Sequence, residues 1–193
     1  MPTSDRTRHT PSSLDTAGLR EAAVAGALAS ALSAGVLMLR GRRDAGSALA
    51  PVNAPSHWLF GKRALRADGP SWRHTFCGLL IHHGSSVMWA WLFSRSLRQA
   101  HRSGHAVSPA WGAVCIAALA AWVDFRLVPP RLTPGFEHRL SRPSLLLVYA
   151  AFGLGLAWGS RLCRPTACPE MGRPGAARPL LHALHPCSTR TSS

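Results

Sequence analysis

Apolar residues collect in four blocks along the chain, and most of the arginines fall between them. The second block is the most telling. Residues 75–93 read TFCGLLIHHGSSVMWAWLF, with no carboxylate, Lys or Arg, between Arg73 and Arg95. A stretch of that length bounded by charge predicts a transmembrane helix. The first block, Ala22–Leu39, is weakly apolar, and Gly26, Ser30 and Ala34 repeat along it at spacing four. Such a small-residue stripe lets helices approach closely. Ala29-Ser30-Ala31 also fits a signal-peptidase site, but the apolar run continues past it to Leu39. The third block opens at Ser108-Pro109, an N-cap followed by a proline suited to the first helical position, and closes at Pro129-Pro130. The fourth, Ser144–Gly159, is short but extends through Pro143 and Ser160.

The pattern predicts an all-α integral membrane bundle of four transmembrane helices, spanning about 20–39, 73–94, 109–128 and 143–160. Both termini then share one side, side A, where the first helix starts. The tryptophans agree with this arrangement. Trp91, Trp111 and Trp158 fall near side A, and Trp72, Trp122 and the loop carrying Trp58 near side B, as two interfacial belts require. Residues 1–18 and the Pro- and Arg-rich stretch 161–193 read as disordered tails. Cys163, Cys168, His182, His185 and Cys187 fall in the second tail, at C-x4-C and H-x2-H spacings that do not form a zinc pattern.

Composition changes this picture only in part. The net charge of +14 rests on 22 basic residues, all but one of them Arg. No zinc finger, RNP motif or basic zipper accompanies it, so membrane lipids are expected as partners and nucleic acid is not. Basic residues divide eleven to each side, which leaves the orientation open. The five cysteines do not define a redox compartment. No G-x-S-x-G, H-E-x-x-H, Walker or Rossmann pattern is present, so the chain is expected to be non-enzymatic, without cofactor or metal.

Polar chemistry inside the apolar blocks is sparse. On a helical wheel, His82, Ser85 and Ser86 share a face with Thr75, Gly78 and Trp89, and this polar seam must face protein or water. His83 lies about 100° from His82, at the margin of the seam. Two readings stay open: His82 fixes packing through a hydrogen bond to a neighbouring helix, or it titrates along a solute path. Adjacent histidines diverge and make poor joint metal ligands. Asp124 is the carboxylate inside the third block, roughly 6 Å from its side B end. It can pair with an interfacial arginine or reach toward His82. On side B, residues 48–61, ALAPVNAPSHWLFG, are apolar but broken by Pro51 and Pro55. They predict an interfacial or re-entrant segment, with Asn53 and His57 at its tip or polar edge. Self-association is expected to use the Gly26/Ser30/Ala34 face.

Three stretches carry a resemblance: NAPSHWLFG, SWRHTFCGLLIHHGSSVMWAW and DFRLVPPRLTPGFEHRL. Over about residues 50–158 the chain resembles small bacterial multi-pass inner-membrane proteins of unknown function. The resemblance implies a four-helix membrane fold in the bacterial inner membrane and brings no catalytic residues. Two functions follow as expectations: action through helix or lipid contacts, or transport of a proton, ion or solute by way of His82, His83 and Asp124.

Overall fold

A computed structural model describes residues 16–163, all of whose regular secondary structure is helical. In chain order the α-helices are α1 (Thr16–Asp44), α2 (Ala50–Asn53), α3 (His57–Phe60), α4 (Cys77–Arg102), α5 (Pro109–Trp122) and α6 (Arg142–Cys163). Helix reaches into both stretches expected to be tails, because α1 already starts at Thr16 and α6 runs on to Cys163. The remainder of both tails, with Cys168, His182, His185 and Cys187, lies outside the described residues.

Alanine dominates the first half of α1, a residue that loses no side-chain entropy on entering a helix. The helix outlasts the apolar block, and Arg40 and Asp44 in its last turns work as a junction. Asp44 accepts hydrogen bonds from the Ser141 amide (2.9 Å) and hydroxyl (2.8 Å), so a carboxylate satisfies the N-terminus of α6. Arg40 Nε donates to Ser144 Oγ at 2.8 Å. Ser108 stands at the N-cap of α5 in an extended conformation, but its hydroxyl makes no capping bond, and Pro109 supplies the start instead. At the side B end α4 and α5 each carry a five-residue π-turn, Trp72–Phe76 and Val123–Leu127.

The four long helices alternate in direction, as cross-contacts along each pair show. From end to end of α1, Glu21 meets Arg98, Gly26 meets Val87 and Ser33 meets His82, so α4 runs antiparallel to it. Gly159 lies on Ala25 and Gly155 on Ala29, so α6 is antiparallel to α1 as well. A Cβ at either glycine would collide with the α1 backbone. Gly155-x3-Gly159 is a second small-residue stripe, which the sequence pattern held unread. The expected stripe is also spent inside the chain: a Cβ at Gly26 would come within 2.6 Å of Val87 Cα, and Ser30 is buried.

Three helices are long and apolar enough to cross a membrane: Gly18–Asp44, Pro109–Leu127 and Arg142–Cys163. The expected span at 73–94 is helical from Cys77 after its π-turn but does not reach the same apolarity. His82, His83, Ser85 and Ser86 depress its average. Large apolar side chains nevertheless point outward on all four long helices, among them Leu39, Leu80, Trp111 and Leu146, each more than half exposed.

Two apolar cores result. The first lies between the long helices toward side A and contains Ala25, Ala29, Phe93, Leu97, Ala113 and Leu156. The second, toward side B, joins Leu37 and Val148 to residues of the connections: Val52, Ala54, Phe136 and Leu140.

Candidate functional site: a cavity beneath a buried segment

The segment expected to be re-entrant is enclosed by protein. Residues 50–57 are buried without interruption. Backbone at such depth is tolerated only when its polar groups are satisfied and protein covers it. Glycines on three sides let it in. A Cβ at Gly41 of α1 would come within 2.6 Å of Pro51, and one at Gly78 of α4 would strike the Val52 carbonyl. Gly135, at φ +84°, faces His57 and Ala54 from the connection between α5 and α6. That connection is also tied down by Trp58, whose indole donates to the Thr133 carbonyl at 2.8 Å. Arg139 bonds the Leu65 carbonyl (3.1 Å) and pairs with Asp68.

Asn53 and His57 therefore hold the segment rather than edge it. The Asn53 amide donates to the carbonyls of Ala67 (2.8 Å) and Gly69 (3.0 Å), and its oxygen accepts from the Thr75 hydroxyl (2.7 Å). His57 Nδ1 donates to the Ala54 carbonyl at 2.8 Å. Ser56 spends its proton on the Asn53 carbonyl, so His74 Nδ1 donates to the Ser56 oxygen at 3.1 Å.

Beneath this segment, α4, α5 and α6 line a partly open cavity of about 220 Å³. Phe93 and Leu97 of α4 approach Gly112 of α5 near side A, whereas toward side B the cavity separates Ile81, Ser85 and Met88 from Ala120, Val123 and Asp124. Pro55, Trp58, Pro134 and Phe136 close it from above. Four of the sequence-predicted residues thus meet at one place: His82, Ser85, Ser86 and Asp124 all line it. Among the described residues no Lys or Arg does, in a chain of net charge +14.

Three polar groups in this wall, His82, Ser86 and Asp124, have hydrogen-bond partners. Ser33 Oγ donates to the Ala29 carbonyl at 2.6 Å, which leaves His82 Nε2 to donate to Ser33 Oγ at 2.9 Å. His82 thereby joins α4 to α1. Ser86 donates back to the His82 carbonyl at 2.8 Å. Asp124 pairs with neither an arginine nor His82, the two partners expected for it. Its Oδ2 accepts from the Tyr149 hydroxyl at 2.6 Å, a bond from α6 to the π-turn of α5. Tyr149 is the residue that the sequence reading missed. The signal was there: it is the sole tyrosine of the chain, in the middle of an apolar block. His83 is exposed on the outer side of α4 and does not line the cavity. Among the described residues no group of three His, Cys, Asp or Glu side chains is arranged to hold a metal ion.

Comparison of the chain with protein-family models, with curated proteins and with solved structures returned no match.

Proposed function

We propose that this chain is a non-enzymatic, four-span integral protein of a bacterial inner membrane that holds a small solute in the side B cavity, as the binding step of a transporter does. The observation that carries the reading is the cavity itself. It places a carboxylate, a histidine and two serines against apolar walls inside a bundle of membrane-length helices, and such polar groups at membrane depth face a cavity or one another. The fourth span is supported by the outer face of α4, where Leu79, Leu80, Met88 and Trp91 are exposed while Ser86 and Trp89 turn inward. The exposed tryptophans support two interfaces: Trp72 and Trp122 toward one end, Trp91, Trp111 and Trp158 toward the other. Membrane lipids are then the constant partners. A homo-oligomer has to use a surface other than Gly26 and Ser30, because α4 covers them.

The bond from His82 to Ser33 favours a second, more modest role for that histidine, in packing α1 on α4. Cysteine accessibility tests the cavity. In a full-length background with Cys77, Cys115, Cys163, Cys168 and Cys187 replaced, Ser85→Cys reacts with uncharged methyl methanethiosulfonate in membranes, and Leu156→Cys in the dry core does not. Equal inertness of the two sites would overturn the reading. Reporter fusions after residues 68 and 104 report opposite sides if α4 crosses.

A further inference from the structure

We propose that the occupant of this cavity is a small organic cation, a quaternary ammonium or a protonated amine. The inference rests on the cavity reading above and adds the chemistry of the ligand. Asp124 supplies the negative charge. Tyr149 occupies its Oδ2, and Oδ1 has no protein partner. The remaining wall is rich in rings: Trp58, Trp89, Phe136, Tyr149 and Phe152 all line the cavity. Aromatic rings attract cations through the negative potential of their faces, most strongly where water is excluded, and together with a carboxylate they form a site selective for ammonium groups.

A second negative group stands behind the wall. Glu137 follows Phe136 in the connection above the cavity, with its Oε1 3.8 Å from His138 Nε2. Its Oε2 is buried without a hydrogen-bond partner. Three of the side B arginines are engaged away from the cavity: Arg139 with Asp68 and Leu65, Arg40 with Asp44 and Ser144, Arg73 over the Phe60 ring at 4.4 Å. An anionic solute would meet the Asp124 carboxylate and, among the described residues that line the cavity, no Lys or Arg. A neutral one would leave Asp124 with a single partner, Tyr149.

The test uses three water-soluble probes of one shape: choline, its uncharged carbon isostere 3,3-dimethylbutan-1-ol, and the anion 3,3-dimethylbutanoate. Each is added at equal concentration while the Ser85→Cys thiol is modified by methyl methanethiosulfonate. Choline is expected to slow the modification, and the other two to leave it unchanged. Adding Asp124→Asn, whose amide oxygen can still accept from Tyr149, is expected to raise the choline concentration needed by about tenfold or more, the scale of a partly screened charge pair. Equal protection by all three probes, or by none, overturns the cation assignment while a reactive thiol keeps the cavity. A thiol that never reacts overturns both. Should Asp124→Asn fail to fold, the comparison of choline with its neutral isostere decides alone.

Discussion

The two ends of the bundle solve the same packing problem in opposite ways. Toward side A the helices carry small residues where they meet, with Ala25 and Ala29 against Gly159 and Gly155, and close directly on one another. Toward side B larger and polar side chains keep α4 and α5 apart, and the space between is filled from above by connecting chain. Where α1 and α6 close, the gain is dense van der Waals contact between backbones. Where α4 and α5 part, backbone must be buried, each of its polar groups needs a partner, and a cavity is left over. The polar cavity of side B thus follows from the residues that prevent close packing there.

The contrast can be broken most severely at the dry end. Gly155→Leu forces a side chain into the Ala29 backbone, and a loss of about 3 kcal/mol is expected, the upper part of the usual range for overpacking. Gly84→Leu, whose Cβ meets no atom, should stay within roughly 0.5 kcal/mol of wild type. Unfolding of both variants in detergent against denaturant checks the pair. At the wet end, Asn53→Ala strands the Ala67 and Gly69 carbonyls and the Thr75 hydroxyl, for an expected loss of about 2–3 kcal/mol. Its counterpart on side A is Ser94, whose buried hydroxyl has no partner, so Ser94→Ala should be neutral or stabilising in the same assay.

His82 sits where the two regimes meet. His82→Leu should cost about 1–2 kcal/mol, the scale of interhelical polar contacts in membranes, and His82→Gln should retain most of that because an amide N–H can still donate to Ser33. A glutamine variant as unstable as the leucine variant would show that the imidazole has a further role. The smallest effect is expected at the side A rim. Glu21→Gln removes the 3.1 Å pair with Arg98, both side chains partly exposed, and should change stability by less than about 1 kcal/mol, and by less still in high salt.

Local pattern revealed the elements, and partnerships across the chain escaped it. The apolar blocks locate α1, α5 and α6 because length and hydropathy are properties of a single segment. The wheel turns His82, Ser85 and Ser86 of α4 inward for the same reason. Prolines marked 48–61 as too broken to span, and residues 50–57 within it are buried. What encloses it was not legible, since Gly41, Gly78 and Gly135 are scattered over three elements and matter only once these meet. Asp124 invited a search for arginine, the ordinary partner of a carboxylate near an interface. The structure supplies a phenol from α6 instead, and no spacing rule links residues 124 and 149.

The enclosure of residues 50–57 has a consequence for biosynthesis. This segment leaves the ribosome directly after α1, but the residues that seal it arrive much later: Gly78 with α4, then Thr133 and Gly135 in the connection before α6. During synthesis it must stay uncovered, and it can settle only when α5 and the connection after it have emerged. Chains arrested near residue 127 should therefore leave residues 48–61 open to protease in membranes, and full-length chains should not. The helices can thus form one by one during translation, whereas the cavity takes shape in one late step.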